Sequence, residues 1–190
     1  MQEVNNQEER VVKVFGVGMF KTGTKSLGQA LQELGYKTSW WCWYVTPEGY
    51  SWYPTDEEID MHMRDIVEYV KEFDAFCDAP WMYAYKQLDR EFPGSKFILT
   101  VRDYNDIADS DKRQWLKGGS PSENIPTAEK FISRAQQHEK SVLEYFKDRS
   151  DDLLVINICK GEGWEKLAPF LGKEHAPVGV FPHANKGEIV

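Results

Sequence analysis

Three glycines, two lysines and three hydroxyl side chains fall within residues 16–26, GVGMFKTGTKS, between a short β-rich run and an apolar-periodic stretch. Glycines let a backbone wrap tightly around an anion. Free N–H groups at a helix start point into such a loop, and lysine and hydroxyl side chains complete the neutralisation. The chemistry implied is the binding of a phosphate or sulfate group. A Walker A loop needs Gly-x-x-x-x-Gly-Lys-Ser/Thr, whereas here Thr24 intervenes between Gly23 and Lys25-Ser26. Nucleotide hydrolysis is therefore the second choice.

The loop must be held by a strand before it and a helix after it. Val11 to Val17 supplies the strand, and Leu27, Ala30, Leu31 and Leu34 supply helical spacing that stops at Gly35. Tyr36 to Tyr53 has no clear period and reads as a loop region, with a cluster of Trp and Tyr between residues 40 and 53. That cluster fits two roles, the lining of an apolar acceptor pocket or core and loop packing. Asp56 to Phe73 suits a helix with Thr55 as N-cap, and Phe73 to Asp78 a short strand closed by Pro80. A helix from about Met82 to Phe92 ends before Pro93-Gly94, and Lys96 to Val101 is the clearest buried strand. Helices at 105–117 and about 126–147, a strand at Leu153 to Ile158 and a helix from Trp164 to Leu171 complete the series. Between the first two of these helices, residues 118–126 compose a loop and a candidate lid. Alternating strands and helices call for an α/β fold of three layers, with a mainly parallel central sheet flanked by helices.

The 190 residues carry 23 Lys+Arg against 31 Asp+Glu, a net charge of −8. Residues 1–10 read as a polar N-terminal tail and 11–190 as one domain. The acidic total disfavours a broad nucleic-acid or anionic-membrane surface, so any polyanion is expected at a small local site. Cys42, Cys77 and Cys159 lie far apart with no Cys-x-x-Cys pair. They read as reduced, packed thiols of a cytoplasmic protein. No apolar run is long enough to span a membrane.

The stretch Lys21-Thr22-Gly23-Thr24 resembles the 5′-phosphosulfate loop of sulfotransferases, commonly Pro-Lys-Ser/Thr-Gly-Thr-Thr/Ser after the first strand, with Phe20 in place of proline and Lys25 where threonine is common. Family members hold the cofactor's 3′-phosphate with a strand-end arginine and a serine eight positions on, and Arg102 and Ser110 match that spacing. Read without the family, Arg102 also suits a surface ion pair with Asp103 or Asp106. The C-terminal DLLVINICKGEGWEKLAPFLG and FPHANKG resemble a compact group of sulfotransferases of about this length. The likeness spans residues 11–35, 73–110 and 151–187, and leaves 36–72 and 111–150 to shape the acceptor pocket.

The resemblance implies a P-loop-type fold. It also implies transfer of a sulfuryl group from 3′-phosphoadenosine 5′-phosphosulfate to a hydroxyl or amine of a small acceptor, releasing adenosine 3′,5′-bisphosphate. Lys21 would meet the charge that builds on the bridging oxygen. Thr22, Gly23, Thr24, Lys25 and Ser26 would hold the 5′ end, Arg102 and Ser110 the 3′-phosphate, and Lys186 would approach that phosphate from the C-terminal loop. Asp78, at a strand end, and His62, on a helix beside the aromatic loop, are the two candidates for the general base. Asp78 also suits a helix cap. His138 reads as a helix-face residue, His183 as shaping the terminal loop, and Trp164 as packing. The scheme needs no metal, and the sequence has no His-x-x-x-His pair or Cys/His cluster to hold one. The alternatives are a small ATP-dependent kinase of the same broad fold, with Asp78 holding magnesium, and a nucleotide-binding module without chemistry. With so acidic a remainder, a neutral or cationic small acceptor is expected.

Overall fold

Strands become buried on both faces only where helices cover both sides of a sheet, and the apolar runs of this chain meet that condition. The computed structural model describes residues 12–40, 54–119 and 125–184. Five strands, β1 (Val14–Gly16), β2 (Thr38–Ser39), β3 (Ala75–Phe76), β4 (Lys96–Thr100) and β5 (Leu153–Ile156), form one sheet in the order β2-β3-β1-β4-β5. Every pairing is parallel, with β1 in register between Ala75-Phe76 on one side and Lys96 to Ile98 on the other. The helices are α1 (Thr24–Glu33), α2 (Asp56–Val70), α3 (Tyr85–Glu91), α4 (Tyr104–Lys117), α5 (Ala128–Tyr145) and α6 (Trp164–Phe170).

Alternate strand residues sort onto two cores. Phe15, Val17, Phe76, Phe97 and Leu99 pack with Ile59, Ile66 and Val70 of α2, Leu88 of α3 and Val142 of α5. Val14, Ala75, Cys77, Ile98 and Ile156 pack with Leu27, Ala30 and Leu31 of α1 and with Trp164 and Leu167 of α6. The result is helix, sheet, helix. Handedness accounts for the distribution. The chain moves one way from β1 to β2 and the opposite way through β3, β4 and β5, so right-handed crossovers put α1 on one face and the later connections on the other. Because α1 leaves β1 on the face opposite to the connections that leave its neighbours β3 and β4, the crevice lies beyond the carboxyl end of β1, where open α/β sheets receive ligands.

Boundaries differ from expectation where local chemistry overrides periodicity. Thr38 and Ser39, read as loop, pair with β3. Helix α1 begins at Thr24, before its first apolar residue. The second strand shrinks to Ala75-Phe76 because Asp78 turns out of the sheet at φ 79°. Helix α3 waits until Tyr85, after turns in which Tyr83 and Ala84 donate to the Pro80 carbonyl at 2.9 and 3.2 Å. Thr55 caps α2 as expected, in a reciprocal box. Its hydroxyl accepts from Glu58 N at 3.2 Å, and its N–H donates to the Glu58 carboxylate at 2.7 Å. Cys77 is a packed thiol, but Cys159 is exposed, which corrects its assignment to the core. The polar tail 1–10, Cys42, the aromatic residues from 41 to 53, positions 120–124 of the candidate lid and Lys186 lie outside the described residues. Among the described residues no helix is long and apolar enough to cross a membrane.

Candidate functional site

The loop is built against β4. Val17 N donates to the Ile98 carbonyl at 2.8 Å. Gly18 lies so close to Thr100 that a Cβ there would stand 1.9 Å from its hydroxyl oxygen. Thr22 turns its hydroxyl inward, donating to Met19 O at 2.6 Å and lying 2.6 Å from the Thr100 hydroxyl. The Thr22 side chain therefore clasps the loop shut. Lys21 takes a left-handed φ of 69°, and its carbonyl accepts from Arg102 Nη1 at 3.2 Å. Two sequence-separated cationic residues are thereby joined at one turn.

Gly23, at φ 108°, is the N-cap of α1 and contributes no side-chain cap. The first intrahelical bond runs from Leu27 N to Gly23 O at 3.0 Å, so the N–H groups of Thr24, Lys25 and Ser26 precede the helical ladder. Uncapped N–H groups with the positive end of the helix dipole form an anion cradle. Ser26 is buried, and its hydroxyl accepts from Ala184 N at 3.0 Å, which brings the segment after α6 onto the loop's helix.

Charges of both signs meet at Lys21. Burial lowers the pKa of its ammonium, the carboxylates of Asp111 and Asp78 raise it, and Lys25 lowers it again. Burial pushes Asp78 upward, against the hydrogen bond from Ala79 N (3.2 Å) and the charges of Lys21 and Lys25. Asp78 does not cap the next helix, whose N-cap is Ala84. Asp111 is likewise raised by burial and lowered by Lys21 and by the Trp115 indole, whose Nε1 donates to Oδ2 at 3.0 Å. The electrostatic partners of Lys21 are thus Asp111, Asp78 and Lys25, while His62 is half-buried on α2.

Among the described residues Arg102 Nε is buried with no hydrogen-bond partner, though it forms a long ion pair with Asp106 Oδ2 at 3.7 Å. Asp103 instead caps α4, accepting from Asn105 N at 2.9 Å and Asp106 N at 3.3 Å. An unsatisfied guanidinium N–H is costly unless a ligand meets it. Ser110 is half-buried on α4, next to Asp111. An uncapped helix start, two ammonium groups and a guanidinium donor compose a set suited to a ligand with two separated anionic groups.

Two residues of this site escape sequence reading. Asp111 carried one signal, a tryptophan four residues on and hence on the same helix face. His138 falls on the stripe of Phe131, Ala135 and Val142, the buried face of α5, and its Nε2 lies 2.7 Å from Val17 O. It is a helix-face residue, as read, and in addition a contact beneath the loop. Trp164 packs as expected, edge-on to Phe181 at 4.7 Å between centroids.

A family model described as a sulfotransferase domain matches residues 13–135 and 111–190. No curated protein matches the chain.

Proposed function

The chain belongs to the sulfotransferase domain family, and from that premise we propose that it moves a sulfuryl group from 3′-phosphoadenosine 5′-phosphosulfate to a hydroxyl or amine of a small, neutral or cationic acceptor. The observation that carries this reading is the convergence of Lys21, Lys25, the uncapped start of α1 and Arg102 on one loop. When bound, the donor supplies an activated sulfuryl group and a phosphate leaving group. Lys21, Gly23, Thr24, Lys25 and Ser26 bind its 5′ end, with Thr22 keeping the loop closed. Arg102, through its unbonded Nε, and Ser110 receive the 3′-phosphate, with Lys186 as a further cation by family resemblance.

Lys21 stabilises negative charge on the departing phosphate, and its own charge is sustained by Asp111 and Asp78 in spite of burial. Asp78 takes the acceptor proton in this scheme, and the burial that raises its pKa makes it a better proton acceptor than a solvated aspartate. His62 is the other candidate for that step. A cytoplasmic setting is part of the proposal.

The test is a thermal-shift series. Adenosine 3′,5′-bisphosphate is expected to stabilise the protein without added metal, with Lys21→Ala and Arg102→Ala each reducing the shift. Stabilisation by ATP with magnesium alone would instead favour a kinase. Bisphosphate binding with no sulfated product across phenols, sterols, sugars and amines would leave a binding module.

A further inference from the structure

The ladder of β1 ends at Gly16, and the Val17 carbonyl is an acceptor left behind as the chain turns into the loop. A buried carbonyl without a partner is costly, and a turn hinged on one is free to reorient. Here the partner comes from α5, since His138 Nε2 reaches Val17 O at 2.7 Å across 121 residues of sequence. A carbonyl can only accept, so the ring proton sits on Nε2. Burial lowers the pKa of His138, which the Val17 bond partly offsets, and the neutral imidazole is the resident form near pH 7. Tyr83 and Tyr85 stand edge-on to the ring at 6.1 and 6.3 Å, fixing its plane. The same imidazole lines a small cavity with Met19, Thr22, Thr100, Tyr104 and Glu139. It therefore faces the Thr22–Thr100 clasp as well as the start of the loop.

We propose that His138 is a positioning residue for the phosphate loop: its Nε2–H holds the Val17 carbonyl, and thereby the Gly18 to Thr22 turn, in the shape that receives the donor nucleotide. The inference rests on the reading of this loop as the nucleotide site. It also gives residues 111–150, which the resemblance leaves to shape the acceptor pocket, a role in donor binding.

The test is calorimetric titration of adenosine 3′,5′-bisphosphate into the wild type, His138→Leu and His138→Gln. Leucine keeps the bulk and removes the donor, so affinity is expected to fall about tenfold, the order of one lost buried hydrogen bond. Glutamine restores an N–H donor and is expected to recover most of that loss. Equal affinities in all three proteins, or a glutamine variant as weak as leucine, overturn the role of His138 while leaving the nucleotide site intact. No binding by the wild type would overturn the nucleotide reading itself. Should the leucine variant fail to fold, nitrogen NMR of the wild-type imidazole decides: the Nε2–H form, perturbed on bisphosphate addition, is expected, and an Nδ1–H form refutes the proposal.

Discussion

Replacing Gly18 with alanine tests whether the loop is as tightly seated on β4 as its geometry implies. The new Cβ would stand 1.9 Å from Thr100 Oγ1, 2.6 Å from its carbonyl oxygen and 2.8 Å from its nitrogen. Only the hydroxyl belongs to a side chain able to rotate, and Thr22 already holds it. The other two atoms are backbone of β4, which is paired on both sides. The loop must move instead. Overpacking of this kind costs about 1–3 kcal/mol. At roughly 2–4 °C per kcal/mol for a chain of this size, the melting temperature should fall by about 2–12 °C. Gly118→Ala is the control: among the described residues its Cβ would meet nothing nearer than 3.5 Å at an ordinary φ of −74°, so its melting temperature should stay close to the wild-type value. Differential scanning calorimetry with and without adenosine 3′,5′-bisphosphate measures both effects, and Gly18→Ala should also lose most of the ligand-induced shift. A Gly18→Ala protein that melts and binds like the wild type would refute the close seating of the loop.

Two further outcomes follow from the charges around the site. Asp111 and Asp78 raise the pKa of Lys21 against its burial, so Asp111→Asn should lower that pKa further and move the alkaline loss of bisphosphate affinity to lower pH. Asp78→Asn should act in the same direction to a smaller extent, and titration between about pH 7 and 10 reads both; an unmoved alkaline limb would contradict the coupling. Burial pushes the Cys77 thiol far up; burial also raises Cys159, against the lowering charge of Arg102, but Cys159 is exposed where Cys77 is buried. Iodoacetamide at mildly alkaline pH should therefore modify Cys159 well before Cys77, more slowly with bisphosphate present, as read by peptide mass spectrometry. Equal labelling of the two thiols would count against these environments.

What the amino-acid sequence discloses here depends on how local the cause is. The run KFILT is apolar enough to be buried on both faces, and it forms β4 as expected. The loop between Gly16 and Ser26 is also legible, because glycine, lysine and hydroxyl spacing is itself the chemistry. Thr38 and Ser39 are strand only because β3 lies beside them, and two residues cannot display a period. Asp111 and His138 gain their meaning from neighbours 90 and 121 residues away, Lys21 and Val17, which no local pattern announces. Thr22 shows the reverse case. The motif marks it as a ligand contact, yet its side chain is spent inside the protein on Met19 and Thr100.

The bond from Ala184 N to Ser26 Oγ spans 158 residues and bears on how the protein is made. Residues 16–26 are synthesised before their seat on β4, their support from α5 and this last tie, which follow in that order. During synthesis the loop is thus a sequence of glycines and lysines without a receptor's shape. Such long-range closure slows folding, and the loop takes its final shape only once these later segments are in place.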